Sequence, residues 1–348
     1  MKITLALAPL LLIAAAAIAP AQADWPVQNR LQGKIKGGDA EKASDVSGIA
    51  CAPGDLPRLC LVVDDETQGA QVVILAQDQL IAGDFIPLIE DAFDGKPLEL
   101  DAEGVAFAGG FFYVIGSQGR ARHEDDAAKE QRNEAQATAT RKLFRIKLSP
   151  DDVNPATGAL KKQPTITPSA ALAPLLQGDP ALAPFFDQPL DENGLTVEGV
   201  AVRGTDLYAG LRGPVLADGS AVIARVPLAA LFDGAPGAAT VFKLALGADT
   251  LGAARGIRDL TVSGAGFLLI AGPEIDPPKK HKIAAGDYAI YSWNEGAAEK
   301  RLDLPVFSKR DKPEALVILS EDADLAHALL LFDGAKEGEP NPVDIPLK

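Results

Sequence analysis

The amino-acid sequence predicts an all-β fold of the propeller type, with five blades of four strands each. A short pattern recurs five times: an opening pair such as Glu198-Gly199, an apolar strand, a turn, and a second apolar strand. The opening residues lie at positions 47, 103, 198, 258 and 314, so three of the four steps are 56 to 60 residues long. A hairpin that cannot bury its own apolar face must stack on copies of itself, and this period is typical of propeller blades. Six shorter blades are the alternative.

Further apolar segments complete the blades in order. They predict strands at residues 71–75 and 81–89 in the first blade, 142–148 and 165–172 in the second, 222–227 and 240–246 in the third, and 288–293 and 300–306 in the fourth. For the fifth blade only residues 342–347 remain. We therefore predict that residues 27–35 supply its outer strand and close the ring, which would leave no exposed sheet edge.

The N-terminus has the pattern of a secretory signal peptide. Met1 and Lys2 precede an apolar run over residues 3–18, and Ala21-Gln22-Ala23 is a small-x-small cleavage signal. We predict a signal peptide over residues 1–23, a single propeller domain over residues 24–348, and a periplasmic or secreted location. No later run reaches the ~18 apolar residues of a membrane-spanning helix.

The charge balance limits the classes of partner. The chain has a formal net charge of −15, with 48 acidic and 33 basic side chains. A negative long-range field disfavours nucleic acid and anionic membrane surfaces. Cations, small ligands and basic partners remain possible, and we expect a monomer.

Two cysteines are present, Cys51 and Cys60. They fall at the end of the first strand and the start of the second strand of the first blade, where antiparallel partners lie within disulfide reach. An oxidising compartment favours the bond. We predict a disulfide between them.

Three long insertions are predicted to lie on one face of the propeller. Residues 121–140 and 274–287 follow second strands, and residues 177–193 precede a first strand, so all three reach the same end of the blades. Long loops that gather on one face of a rigid scaffold usually carry function. The charged, Ala-rich segment 121–140 is either a flap over this face or a solvated insertion.

The innermost strands line the central channel, and the second strands return to the same mouth. Carboxylates, arginines and a serine converge there. The candidate catalytic residues are Glu103, Glu198 and Glu314; the candidate ligand-binding residues are Asp65, Ser117, Arg212, Arg258 and Asp333; and the candidate metal ligands are Asp64, Glu103, Glu198 and Glu314.

Three interpretations of this ring stay open. Carboxylate oxygens can hold a hard cation such as Ca²⁺ or another divalent ion. Carboxylates in different environments can divide the acid and base roles of a hydrolase of phosphoester, lactone or glycosidic bonds. Alternatively, Arg212 and Arg258 pair with the glutamates and only hold the blades in register. Like charges this close require some compensation in every case.

Other chemistries are poorly supported. His123, His281 and His327 are the three histidines, and none belongs to a strand-end motif, which argues against a Ser-His-Asp triad or a histidine zinc site. The sequence also lacks a phosphate-binding glycine loop.

Residues 192–201 (ENGLTVEGVA), followed by GLRGPV at residues 210–215, resemble the signature of the domain-of-unknown-function family 3616. Segments 101–105 with 115–117, and 256–260 with 269–273, resemble its other motifs. The resemblance implies a bacterial propeller-like protein without an assigned activity. Gln118 stands where the family more often has histidine, and Lys312-Pro313-Glu314-Ala315 stands for its His-x-Glu-Gly.

These departures remove potential catalytic groups. We therefore expect a protein that binds a small ligand, a cation or a protein partner at the channel mouth. A hydrolase that uses the same carboxylates and arginines is the alternative.

Overall fold

The computed structural model describes residues 25–120, 129–278, 282–308 and 312–348. The predicted signal peptide, His123 and His281 lie outside these residues. In the described part of the chain, the five repeats form five separate sheets that surround one channel, so the prediction of five blades is confirmed and six blades are excluded.

The strands follow one another in a regular order. An N-terminal segment contains β1 (Val27–Gln28), β2 (Gln32–Lys36) and β3 (Asp39–Lys42); blade 1 contains β4 (Val46–Cys51), β5 (Arg58–Asp64), β6 (Gly69–Leu75) and β7 (Leu80–Pro87); a small hairpin contains β8 (Ala92–Phe93) and β9 (Lys96–Pro97). Blade 2 contains β10 (Ala102–Ala108), β11 (Phe111–Gly116), β12 (Leu143–Lys147) and β13 (Thr165–Ser169); blade 3 contains β14 (Thr196–Arg203), β15 (Asp206–Gly213), β16 (Ala221–Pro227) and β17 (Thr240–Leu244). Blade 4 contains β18 (Arg255–Ser263), β19 (Gly266–Pro273), β20 (Ala289–Trp293) and β21 (Glu299–Asp303); blade 5 contains β22 (Lys312–Glu321), β23 (Leu325–Asp333) and β24 (Asn341–Pro346).

Helices lie only in the connections of the described chain. They are α1 (Glu130–Thr140), α2 (Leu172–Gln177) and α3 (Leu228–Phe232), with short 3₁₀ turns at Pro150–Asp152, Ala183–Phe185, Leu190–Glu192 and Lys336–Gly338. None of the described helices is long and apolar enough to cross a membrane.

Apolar side chains from neighbouring blades form the core. Each of the five hydrophobic clusters joins two adjacent blades. Phe112, for example, is fully buried between blades 1 and 2, and Leu331 packs on Val46 between blades 5 and 1. Because the strands have apolar residues on both faces, each sheet is stable only between two neighbours.

The ring closes differently from the sequence-based prediction. Residues 27–35 do not add a fourth strand to blade 5; β1 instead pairs in parallel with β7 at the outer edge of blade 1, and β2 pairs with β3. Blade 5 has three strands in the described chain. Blades 5 and 1 are joined near the channel, where Gly334 N donates to Ser44 O at 2.8 Å and Glu337 N donates to Ala43 O at 2.8 Å.

The turns between first and second strands are short. In blade 2, Gly109 and Gly110 have φ values of 60° and 82° and connect β10 to β11 directly. Two successive positive φ values are typical of the tight turn that fits the twist of a hairpin. The long insertions therefore remain for the opposite end of the channel.

Candidate functional site

The opening residue of every repeat is the extra residue of a β-bulge. In blade 3, Val197 pairs with Leu211 and Gly199 with Gly210, so Glu198 has no partner residue on β15. The same interruption leaves out Ser47, Glu103, Arg258 and Glu314 in the other four blades. A bulge re-aims one side chain while the ladder continues on both sides. Five bulges at equivalent positions therefore place five side chains around the channel.

The residue after the bulge lies where the innermost strands of adjacent blades approach most closely. A Cβ on Gly48 would lie 2.9 Å from the Cα of Gly104, and a Cβ on Gly199 would lie 2.8 Å from Leu260 N. Glycine leaves room for this backbone contact. The x-Gly pattern in the first three repeats thus has a packing cause.

A buried ion-pair network crosses the channel. Arg212 Nη1 donates to Glu198 Oε1 at 2.9 Å, and Arg258 Nε lies 2.9 Å from Glu198 Oε2. Arg258 Nη2 also pairs with Glu314. Arg258 is 0% exposed. Two of the three candidate catalytic glutamates are therefore already paired with arginines inside the protein.

Arg212 is held from further sides. Its Nε donates to Glu274 O at 2.7 Å, and its Nη2 donates to Asp276 Oδ1 at 2.7 Å. Arg212 is itself the extra residue of a bulge, because Thr196 pairs with Gly213 and Val197 with Leu211. The segment that follows β19 is thus anchored at the mouth.

A cavity of about 420 Å³ opens above this network. Most of the residues around it are polar or charged. They are Asp45, Asp65, Asp101, Glu103, Ser117, Arg120, Leu190, Thr196, Glu198, Arg212, Lys312, Glu314 and Asp333. Seven of the nine candidate residues from the sequence line this cavity, and Asp64 and Arg258 do not.

One side of the cavity is acidic. Carboxylate oxygens of Asp65, Asp101 and Glu103 all lie within 4.8 Å of one another. Glu103 is 8% exposed, and the described residues provide no hydrogen bond or ion pair to its carboxylate. Asp65 Oδ1 is buried without a hydrogen-bond partner. These oxygens have the chemistry of ligands for a hard cation.

Burial raises the pKa of both unpaired carboxyl groups well above the ordinary values. For Glu103, Glu198 and Asp101 raise the pKa further, while Arg258 and Arg212 oppose the rise. For Asp65, Glu103 and Asp101 add to the effect of burial. The group therefore takes up either protons or a cation to balance its charge.

The other candidate residues predicted from the sequence, Asp64, Asp333 and Ser117, have different contacts. Asp64 does not line the cavity; its carboxylate accepts backbone N–H bonds from Ser44, Asp45 and Glu66 at 3.1 to 3.2 Å. Burial nevertheless raises the pKa of Asp64 to about 7. Asp333 lines the cavity and pairs with Lys312. Ser117 lines it as well, and its Oγ accepts a hydrogen bond from Gly119 N at 3.4 Å.

The long insertions meet at this mouth. Arg120 and Pro189 form an isolated bridge, and Arg120 Nη2 donates to Glu134 Oε1 of α1 at 2.6 Å. Arg141 Nη2, just after α1, donates to Asp187 Oδ1 at 2.8 Å. Residues 121–128 of the first insertion lie outside the described chain. The remainder forms a charged rim beside the cavity.

Gln118 has a structural role. It is fully buried, and its Nε2 donates to the carbonyl oxygens of Gly116, Thr140 and Lys142 at 3.0 to 3.3 Å. It does not line the cavity. The amide therefore ties the ends of β11 and α1 together.

Six residues that line the cavity are not among the candidates from the sequence, and they are Asp101, Lys312, Arg120, Asp45, Thr196 and Leu190. Asp101 lies two positions before Glu103 and adopts a positive φ of 54°. Lys312 lies two positions before Glu314, 3.9 Å from Glu314 Oε1. Arg120 follows β11. A polar residue two positions before a bulge is a signal that could have indicated the first two.

A protein-family model matches most of the propeller. The model for DUF3616, described as "protein of unknown function", matches residues 58–341. The chain belongs to the DUF3616 family. The match spans all five blades, and the resemblance inferred from residues 192–215 is confirmed. No curated protein sequence matches this DUF3616 chain.

Several solved structures match this chain at very low sequence identity. The exo-β-1,3-galactanase of Phanerochaete chrysosporium has a TM-score of 0.44 at 10% identity over 94% of this chain and 65% of its own. The xyloglucan PUL protein GH43B of Bacteroides ovatus has a TM-score of 0.45 at 13% identity over 88% and 53%. The luciferin-regenerating enzyme has a TM-score of 0.40 at 8% identity over 88% and 92%.

This DUF3616 chain spans less than two thirds of the galactanase and of GH43B. Similarity at this level says nothing about its ligand or its reaction.

Proposed function

We propose that this protein binds a hard divalent cation, with Ca²⁺ the first candidate, at the acidic side of the channel mouth. Asp65 and Glu103 supply the ligand oxygens, with Asp101 beside them. The cavity above the cation receives a small oxygen-bearing ligand. We further propose that the protein is exported to the periplasm or the medium, which the Cys51–Cys60 disulfide supports.

The observation that carries this proposal is the isolation of Glu103. A bulge directs its side chain into the channel and it is 8% exposed, while Arg212 pairs with Glu198 and Arg258 pairs with Glu198 and Glu314. A buried carboxylate without a partner is costly unless it is protonated or bound to a cation. A carboxylate oxygen of Asp65 lies within 4.8 Å of one of Glu103, and the Asp65 carboxylate needs a proton or a cation for the same reason.

Glu198 and Glu314 are left out of the proposed coordination set. Each already faces a guanidinium group of Arg258, and Glu198 also accepts from Arg212. A cation that used these oxygens would have to displace an arginine. The network instead forms the floor of the site and fixes the position of the neighbouring bulges.

The proposal is tested by isothermal calorimetry and thermal unfolding of the EDTA-treated protein at pH 7.5, with Ca²⁺, Mg²⁺ and Mn²⁺ added separately. A cation at 100 times its dissociation constant adds about 2.7 kcal/mol to the free energy of unfolding. We expect one of these ions to raise the melting temperature. No heat and no shift with any of them would refute the site.

The variant Glu103→Gln keeps the shape of the side chain and removes its charge. We expect it to fold and to lose the cation response. Glu90→Gln is the matched control, because Glu90 is exposed and lies outside the cavity. An unchanged response of Glu103→Gln would contradict the assignment of Glu103 as a ligand.

Hydrolysis is the second candidate function. The same cavity holds an ion-paired carboxylate, Glu198, and two carboxyl groups, Asp65 and Glu103, whose pKa burial raises. Carboxyl groups in contrasting environments can divide acid and base roles. Chromogenic phosphoesters, lactones and glycosides, each tested with and without Ca²⁺, provide the assay. Turnover that Glu103→Gln abolishes and Glu90→Gln retains would favour this function.

A further inference from the structure

The cavity at the acidic mouth is polar on almost every side. It measures about 420 Å³, which is within the range of small-ligand sites. Leu190 is the one large aliphatic side chain among the described residues around it, and no aromatic ring is among them. A ligand in this cavity is therefore held by hydrogen bonds and charge, because neither an apolar wall nor a ring for stacking is present in the described lining.

The charge balance of the cavity disfavours an anionic ligand. Seven acidic and three basic side chains line it. The three basic residues, Arg120, Arg212 and Lys312, each form an ion pair with a carboxylate. One divalent cation at the acidic side does not reverse this balance, so a ligand carboxylate or phosphate would be repelled by the remaining carboxylates.

Blade 5 presents hydrogen-bond donors and acceptors side by side. Lys312 Nζ pairs with Asp333 and lies 3.9 Å from Glu314 Oε1. A hydroxyl group donates one hydrogen bond and accepts two, so it can bond to the ammonium and to a neighbouring carboxylate while the ion pair stays in place. A ligand group with a single charge would instead have to displace one partner of the pair, which is costly in a buried site.

Blades 2 and 3 add two hydroxyl groups beside the acidic side of the cavity. Ser117 N donates to Asp101 O at 2.8 Å, and Val197 N donates to Ser117 O at 2.8 Å. Ser117 and Thr196 therefore lie at adjoining strand ends next to the carboxylates. Ser117 Oγ accepts from Gly119 N at 3.4 Å and keeps its own O–H as a donor. The described residues provide no hydrogen bond to the Thr196 hydroxyl, which lines the cavity.

We propose that the ligand of this cavity is a neutral polyhydroxylated molecule of the carbohydrate class, with two vicinal hydroxyl oxygens on the cation. This inference rests on the cation site proposed above. Ca²⁺ takes about 6–8 oxygen ligands, and three carboxylates with one oxygen each leave positions open towards the cavity. The remaining hydroxyls of the ligand face the ion pair of blade 5 and the side chains of Ser117 and Thr196. Because no described ring stacks on the ligand, its binding depends on the cation.

The test is saturation-transfer NMR of the unmodified protein with glucose, galactose, mannose, xylose and arabinose, each as the free sugar and as its methyl glycoside. The uronates and 2-amino sugars of the three hexoses are the charged probes. We expect at least one neutral sugar to bind in Ca²⁺ and to be released by EDTA, and its charged counterparts to bind more weakly. A bound methyl glycoside identifies the end of a glycan chain as the source, and binding of the free sugar alone identifies a monosaccharide; both support the proposal. Tighter binding of the charged sugars, or no binding of any neutral sugar, would overturn it.

Calorimetry with Ca²⁺ alone separates this inference from the cation proposal. Ca²⁺ binding without any bound neutral sugar would refute the carbohydrate ligand and leave the cation site in place. Absence of Ca²⁺ binding would refute the cation site itself. Neutral sugars that bind equally well in Ca²⁺ and in EDTA would refute coordination of their hydroxyls by the cation.

The variant Thr196→Val removes one hydroxyl and keeps the shape of the side chain. We expect it to weaken sugar binding by about fivefold, the effect of one lost hydrogen bond, and to leave the Ca²⁺ affinity unchanged. Thr240→Val is the matched control, because Thr240 is exposed on the outer strand β17 of the same blade. Circular dichroism establishes that both variants are folded. Sugar binding that Thr196→Val leaves unaltered would contradict the placement of the ligand in this cavity.

Discussion

Arg212 Nη1 donates to Glu198 Oε1 at 2.9 Å, and the two side chains are only 4% and 3% exposed. Arg258 reaches the other oxygen of the same carboxylate from the next blade. One glutamate of blade 3 therefore joins two arginines on different blades. This pairing separates Glu198, which is part of the frame, from Glu103, which faces the cavity without a partner.

Replacement of Glu198 should therefore destabilise the protein. Glu198→Gln leaves Arg212 and Arg258 buried with less negative charge, and loss of one partner of a buried ion pair costs about 3–5 kcal/mol. We expect the free energy of unfolding, measured by urea denaturation, to fall by this amount and the midpoint to move to a lower urea concentration. Glu90→Gln, on the surface, should leave the midpoint where it is. An unaltered midpoint in Glu198→Gln would mean that the network contributes nothing to stability.

The metal-free protein should lose stability as the pH rises from 5 to 8. Burial raises the pKa of Glu274 to about 7 and raises the pKa of Asp65 and Glu103. The folded state therefore keeps protons that the unfolded chain releases above its ordinary pKa values. The contribution of Glu274 is complete at low pH and is lost as the pH rises through about 7, and the contributions of Asp65 and Glu103 are lost as the pH rises through their own raised pKa values.

Melting temperatures in EDTA across this pH range measure the effect. Addition of Ca²⁺ should flatten the decline, because the cation replaces the protons and binds better at higher pH. A melting temperature that climbs between pH 5 and 8 in EDTA would contradict the interpretation of these carboxyl groups.

Reduction of the disulfide should have a modest cost. Cys51 and Cys60 are nine residues apart, and a loop of this size restricts the unfolded chain by about 2–3 kcal/mol. We expect Cys51→Ala/Cys60→Ala to lower the free energy of unfolding by this amount and to remain folded. Chemical denaturation of the oxidised protein and the double variant gives the value. A variant that cannot fold would show that the bond does more than restrict the unfolded chain.

The glycine after the bulge should not tolerate a methyl group. A Cβ on Gly199 would lie 2.8 Å from Leu260 N on the neighbouring strand β18. Backbone cannot move aside easily, so we expect Gly199→Ala to cost about 1–3 kcal/mol, as overpacking does. Gly296→Ala is the control, since a Cβ there meets nothing within 4 Å. Equal stability of the two variants would refute the close approach of the strands.

The blade order could be predicted because it depends on local patterns. Each pair of apolar strands, such as the segment from Thr196 to Gly213, consists of residues that follow one another in the sequence. The stacking of five copies follows because each hairpin would otherwise leave its apolar faces exposed. The closing strand could not be predicted in this way. Its position depends on the pairing of Val27 with Leu80, which no local signal specifies.

The candidate site could be predicted in outline for the same reason. The sequence places Glu103 and Glu198 at equivalent positions, and both reach the channel. Which of them is neutralised depends on where Arg212 and Arg258 point, and this is a property of bulges and neighbouring blades. Periodicity alone gives no information about that.

The five bulges have a consequence for how such a protein diverges. Their side chains are excluded from strand pairing, and the chain already carries serine, glutamate and arginine at these positions. A substitution there alters the chemistry of the pore while the ladders on either side keep their register. One scaffold can therefore acquire new specificities through a few isolated codon changes, and these five positions are the natural starting point for a combinatorial library.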